Sequence, residues 1–126
     1  MNPRLRTAFE KEMSAAHELR LAGDLDGAFG RLERAHVLGQ RHVAAHVRTH
    51  WWMLRIGLRR RSPAEVAGQA LRIVAGAIGS AVGIVPVGNT GGTDVFLFAR
   101  MPIAPDLREV LDDAASVTVR GDAVTR

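Results

Sequence analysis

The apolar positions in the first part of the chain recur at intervals of three and four residues, which is the period of amphipathic α-helices. A first helix is predicted from Pro3 to Leu21, with an apolar face formed by Leu5, Phe9, Met13, Ala16 and Leu19. Ala22-Gly23 ends it, and Asp24 is a suitable N-cap for a second helix. The apolar face of that second helix consists of Ala28, Leu32 and Ala35. Because the connection is short, the two helices are predicted to pack as antiparallel neighbours.

A third helix is predicted from Gln40 to Arg60, after a tight reversal at Gly39-Gln40. Its apolar side is expected to consist of Val43, Val47, Trp51, Leu54 and Leu58. A stripe of histidines is displaced from this side by one residue, which corresponds to about 100° around the helix. The pattern therefore predicts that these histidines border the core.

A fourth helix is predicted to begin at Ser62, with Pro63 at its first position and Glu65 completing a capping box. Its aliphatic residues are interrupted by Gly68, Gly76, Gly79 and Gly83. The uncharged run from Ile73 to Val87 is shorter than the ~18 residues that span a bilayer. We therefore expect a buried, closely packed core helix, and no membrane partner.

The chain after this helix is rich in glycine and proline. The loop from Gly88 to Gly92 is typical of turns, because it lacks the lysine and the strand-to-helix context of a phosphate-binding loop. Irregular structure packed over the bundle is expected at Val95–Ala99, followed by a short helix from Asp106 to Ala115 and a flexible tail over 116–126. The predicted fold class is all-α, with four to five helices in a single domain over residues 1–115.

Composition narrows the classes of partner. The 126 residues carry a formal net charge of +4, yet Lys11 is the single lysine among the 17 basic side chains. The one basic run, Arg59–Arg61, lies at a predicted helix C-terminus, where the helix dipole favours positive charge, so nucleic acid is not an expected partner. The N-terminal segment has no continuous apolar core, which argues against a secretory signal and for a cytoplasmic location.

The stretch from Glu33 to His50 contains four of the five histidines and predicts a metal site. His42, His46 and His50 are spaced by four residues and share one helix face. In the preceding helix Glu33 and His36 also share a face, and a reversal near Gly39 brings the two faces together. A similar reversal near Gly23 brings a carboxylate of the first helix level with His36. The predicted metal ligands are therefore Glu10, Glu33, His36, His42, His46 and His50.

His17 is expected to be a surface residue outside this site. The chain has no cysteine, so any metal must be held by nitrogen and oxygen ligands, and imidazole suits Zn, Ni, Cu(II) and Fe. Di-iron carboxylate bundles use two Glu-x-x-His elements, and this chain has one, which favours a mononuclear divalent transition metal. Haem is a weaker option, since no attachment motif exists.

A homodimer could supply further ligands, with the exposed part of Trp51–Met53 as a contact surface. No efficient catalysis is expected, because the chain has no nucleophile elbow and little length remains for a substrate cleft once the core is built. Oxidation chemistry with iron is the exception to this expectation. The alternative to a metal-binding protein is a helical interaction module whose histidines are structural and whose groove binds a protein segment.

Two resemblances accompany these patterns. Residues 9–42 resemble a single tetratricopeptide-type hairpin, on the small residues Ala16, Ala28 and Ala35 and the turn at Gly23-Asp24. From about Phe9 to Leu111 the chain resembles a small bacterial family known only as a domain of unknown function, on the segments ERAHVLGQ, HVRTHW, RIG, PVGNTGG and MPI-x-PDL. That resemblance implies a self-contained domain, and it implies no activity or functional residue.

Overall fold

The computed structural model describes residues 1–84 and 86–124, without the side chains of Ser80 and of residues 117–124. Over that range the chain is all-α and contains no strand, which confirms the predicted fold class. The helices are α1 (Pro3–Leu21), α2 (Leu25–Gly39), α3 (Val43–Arg59), α4 (Pro63–Ala81) and α5 (Pro105–Val124). α5 continues beyond Ala115, where the last helix was predicted to end, and the final two residues of the predicted tail lie outside the described residues.

The first two helices form the predicted hairpin, and the turn between them follows from two residues. Gly23 adopts a φ of 85°, a left-handed conformation that glycine reaches without steric cost. Asp24 then caps α2, because its Oδ1 accepts a hydrogen bond of 2.8 Å from the backbone N–H of Gly27. α2 packs against both α1 and α3, and α5 packs back onto α1 and α2. Arg34 on α2 connects this arrangement, since its guanidinium contacts Glu12 of α1 and Asp106 of α5.

The face of α3 that enters the core is not the one predicted. Trp51 is 50% exposed and Leu58 is 56% exposed, although both were assigned to the apolar side. The buried residues of α3 are His46, Thr49, His50, Met53, Ile56 and Gly57. The predicted position at the border of the core holds for the half-buried His42, whereas His46 and His50 lie within the core. Buried polar groups are tolerated where they find hydrogen-bond partners, and these histidines find partners.

The prediction that α4 is a buried core helix was wrong for one of its faces. Leu71, Val74 and Ile78 form one face of the helix and are 61–63% exposed. On the opposite face Gln69 and Arg72 are buried in the packing of α4 against its neighbours. The inward face of α4 is therefore polar at its centre.

Between α4 and α5 the described part of segment 82–104 is irregular and folds back onto the helices. Asn89 holds its shape: the side-chain Nδ2 donates to the carbonyls of Phe96 and Ala99, and Oδ1 accepts from the N–H of Gly91. The segment therefore presents an ordered loop to the ends of α2 and α4. Within the described residues, no helix has both the length and the apolar character needed to cross a membrane.

Candidate metal centre

Three histidine side chains meet in the interior, and we call this group the histidine centre: His36 of α2 with His46 and His50 of α3. Nε2 of His46 lies 2.9 Å from Nε2 of His36 and 3.0 Å from Nε2 of His50. One ligand atom from each residue lies within 4.8 Å of those of the other two, and all three residues are buried. The histidine centre could therefore hold a metal ion.

The second nitrogen of each ring faces an oxygen acceptor. Nδ1 of His36 lies 2.8 Å from the carbonyl oxygen of Asn89, and Nδ1 of His46 lies 3.1 Å from that of Gln40. Nδ1 of His50 lies 2.7 Å from Oε1 of Gln69. Because these oxygens can only accept, each Nδ1 carries the hydrogen.

The side chain of Gln69 has a defined orientation. Its Nε2 donates to a carboxylate oxygen of Glu65 and to the carbonyl of Gly91, both at 3.0 Å. Since both of these groups are acceptors, the amide nitrogen must face them and Oε1 must face His50. The hydrogen on Nδ1 of His50 is thereby fixed as well.

Burial keeps the three rings neutral. Desolvation lowers the pKa of His36 well below its ordinary value, and the nearby His50 and His46 lower it further. Desolvation likewise lowers the pKa of His46. It lowers the pKa of His50 to about 4, although the hydrogen bond that His50 donates to Gln69 raises that pKa. A neutral imidazole has one N–H, so with the hydrogen on Nδ1 every Nε2 presents a lone pair.

Three converging lone pairs repel one another, and a cation between them removes that repulsion. In a tetrahedral site with metal–nitrogen distances of about 2.0–2.1 Å, ligand nitrogens lie about 3.3 Å apart. The observed separations of 2.9 and 3.0 Å need only a small outward movement of the rings to reach this value. Hydrogen bonds from Nδ1 to carbonyl or amide oxygens are the arrangement that orients metal-binding histidines.

Two glycines allow the rings to pack so closely. A Cβ on Gly76 of α4 would lie 2.7 Å from Nε2 of His46. A Cβ on Gly91 would lie 3.0 Å from ring atoms of both His36 and His50, and its φ of 84° also favours glycine. The glycine-rich character of α4 and of the loop is thus partly explained by the histidine centre.

The other predicted ligands lie elsewhere. The carboxylate of Glu10 pairs with the guanidinium of Arg48 at 2.6 and 2.9 Å. His42 is half-buried at the N-cap position of α3, and it shares a surface depression with Glu10. Glu33 is half-buried beside the loop at Gly92, and burial raises its pKa. His17 is exposed, as predicted.

Sequence reasoning missed the residues that orient the rings. Gln69 and Arg72 are polar residues three apart within an apolar helix, and this spacing could have indicated a polar inward face. Asn89 was read as part of a turn, which it is, but its backbone carbonyl also bonds to His36. No local signal identifies a backbone carbonyl as the partner of a ring 53 residues away.

A cleft of about 380 Å³ reaches the histidine centre from the surface. Its apolar walls come from α4 and from the following segment, mainly Ile78, Val82, Ile84, Leu97 and Phe98. The sequence had predicted too little chain for such a cleft. The irregular segment supplies part of the missing wall with Leu97 and Phe98, and Thr93 of the same segment donates a hydrogen bond to Glu65 of α4.

Comparisons with known proteins identify a family. No curated protein and no solved structure matches the chain. The family described as "Protein of unknown function (DUF3703)" matches residues 3–111, and this range includes the histidine centre and the oxygens that orient it. The match agrees with the resemblance noted from Phe9 to Leu111. The chain belongs to the DUF3703 family.

Proposed function

We propose that this protein binds one divalent transition metal through Nε2 of His36, His46 and His50. The observation that carries the proposal is the convergence of three buried imidazoles whose Nδ1 atoms all face acceptors. Neutral imidazole nitrogens are suited to Zn, Ni, Cu(II) and Fe. Three protein ligands leave a fourth tetrahedral position for water or another ligand.

The role we propose for this site is metal handling, sensing or simple redox chemistry. A site with three protein ligands and an adjoining cleft has the coordination position that exchange or reaction requires. Among the described residues no carboxylate joins the three histidines, and Glu65 accepts hydrogen bonds from Gln69 and Thr93, so no general acid or base is assigned at that position. Metal binding is therefore proposed without a specific reaction.

The test is element analysis of protein purified without a histidine tag, followed by metal titration of two variants. We expect near-stoichiometric metal in the unaltered protein. His46→Ala should lose metal affinity, whereas His17→Ala, at the exposed histidine, should keep it. Absence of metal after titration, or an equal loss in the two variants, would refute the proposal.

The alternative proposal is a helical interaction module with structural histidines, related in form to a tetratricopeptide-type hairpin. It is favoured by the exposed apolar face of α4, which includes Leu71, Val74 and Ile78. Under this alternative the histidine centre contains only hydrogen bonds. The same element analysis separates the two proposals, because the alternative predicts no metal.

A further inference from the structure

The inner end of the cleft contains an arginine as well as the histidine centre. Arg72 of α4 lines the same cleft as the three histidines and is only 8% exposed. Its Nη2 donates to the carbonyl of Val95, and among the described residues its buried Nε has no hydrogen-bond partner. Within residues 1–84 and 86–116, no carboxylate forms an ion pair with this guanidinium. A buried guanidinium with an unused N–H is costly unless a ligand accepts that hydrogen bond.

Charge at this end of the cleft is unbalanced once a metal binds. The histidine centre contributes three neutral rings and no carboxylate, so none of these ligands would neutralise a divalent metal there. Desolvation lowers the pKa of Arg72, and the described carboxylates Glu65 and Asp94 act electrostatically to raise it, but neither forms an ion pair with it. Arg72 lies close enough to His36 and His50 to influence both electrostatically. A metal ion beside a guanidinium in a buried site favours an anionic ligand at the open coordination position.

The remainder of the cleft is apolar. Its walls include Ile78, Val82, Ile84, Leu97 and Phe98. The volume of about 380 Å³ lies within the range of small-molecule sites. A ligand that fills this space must therefore have one charged end and an apolar body.

We propose that the cleft binds a small monocarboxylate with an apolar body, its carboxylate contacting both the bound metal and the guanidinium of Arg72. This inference rests on the proposed metal site and names the class of ligand that the site takes. A carboxylate matches the planar guanidinium and needs few donors. Phosphate fits less well, because its additional oxygens would need donors that the apolar walls do not offer.

The experiment uses the tag-free full chain loaded with Co(II), whose visible absorption reports on the fourth ligand. Hexanoate, acetate, hexan-1-ol and inorganic phosphate are titrated separately. We expect saturable spectral change with hexanoate and none with hexan-1-ol. Each buried methylene contributes about 0.8 kcal/mol, or about fourfold in affinity, so hexanoate should bind at least about tenfold more tightly than acetate.

Two arginine variants test the anionic end. Arg72→Gln should weaken hexanoate binding at least about tenfold, since hydrogen bonds to charged groups contribute about 1.5–3 kcal/mol. Arg20→Gln is the matched control, because Nε of Arg20 is likewise buried without a partner but lies in a different cleft beside Trp52. The control should bind hexanoate as the unaltered protein does.

If Arg72→Gln does not fold, Ile78→Ser tests the apolar wall of the cleft. The Ile78 side chain is 62% exposed, and the change should weaken the binding of hexanoate but not that of acetate.

The outcomes distinguish a failure of the proposed metal site from a failure of the proposed ligand. A chain that takes up no Co(II) would refute the metal site itself. A Co(II)-loaded chain would refute only the ligand assignment if its spectrum ignored hexanoate, if phosphate or acetate bound as tightly as hexanoate, or if Arg72→Gln and Arg20→Gln behaved alike.

Discussion

Replacement of Gln69 by leucine tests whether the histidine centre depends on the groups that orient it. Gln69 is fully buried, with 0% of its surface exposed, and its Oε1 accepts the N–H of His50 at 2.7 Å. Leucine has a similar volume but no acceptor. The change removes this hydrogen bond and the two bonds that Nε2 donates to Glu65 and Gly91.

The size of the effect can be worked from these bonds. A buried polar group left without a partner costs about 1–3 kcal/mol, and Gln69→Leu leaves the Nδ1–H of His50 and the carbonyl of Gly91 unpaired. We expect the metal-free protein to lose about 2–6 kcal/mol of unfolding free energy. Loss of the orienting bond should also reduce metal affinity by about 10–100-fold.

The assays are urea denaturation of the metal-free protein and competitive Zn(II) titration. Thr49→Val is the control, since Thr49 of α3 is also fully buried and its hydroxyl donates to the backbone carbonyl of His46. The control should lose about 1 kcal/mol of stability and retain its metal affinity. If Gln69→Leu bound Zn(II) as tightly as Thr49→Val, the orienting role would be refuted.

Three further outcomes are expected. Gly76→Ala should weaken Zn(II) binding in a titration, because the added Cβ would lie 2.7 Å from Nε2 of His46. Gly30→Ala on α2, where an added Cβ meets no described atom within 4 Å, should raise the unfolding free energy in urea by up to about 1 kcal/mol. Equal metal affinity in the two variants would contradict the first expectation. Asp24→Ala should lower the unfolding free energy by about 1 kcal/mol, since the hydrogen bond from Gly27 to the Asp24 side chain is lost. An unchanged denaturation midpoint would show that this cap does not stabilise the protein. Metal-free protein should lose stability as the pH falls from 6.5 towards 4, because the unfolded chain then binds a proton at His50 that the folded chain, with its pKa lowered to about 4, does not. For His50 alone the loss of unfolding free energy is about 3 kcal/mol at pH 4 and below. Chemical denaturation at pH 7 and pH 4.5 measures it, and equal or higher stability at the lower pH would contradict this expectation.

Much of the helical layout follows from local patterns. The ends of α1, the cap at Asp24 and the start of α4 at Pro63 are set by residues adjacent in sequence, so the sequence is sufficient to predict them. The approach of α2 and α3 near these histidines was also predicted, because a short reversal after Gly39 constrains the two helices. The register was not: Glu33 was expected level with His46 and His36 with His42, whereas His36 meets His46.

The inward faces of α3 and α4 could not be predicted in the same way. Hydrophobicity alone favours burial of Trp51 and Leu58 over His46 and His50, and the structure does the opposite. The histidines are buried because acceptors from elsewhere receive their hydrogens. One of these acceptors, the side chain of Gln69, is 19 residues from its partner. Such pairings depend on tertiary packing, which local periodicity does not encode.

The central claim is that His36, His46 and His50 together hold one metal ion, and an X-ray absorption spectrum of the Zn(II)-loaded, tag-free chain tests it most directly. We expect three imidazole nitrogens at about 2.0–2.1 Å, with one further light ligand in the open position. The imidazole scattering should disappear in His46→Ala and persist in His42→Ala, because His42 lies apart from the centre. A spectrum dominated by carboxylate or water oxygens, or one unchanged by His46→Ala, would contradict the assignment.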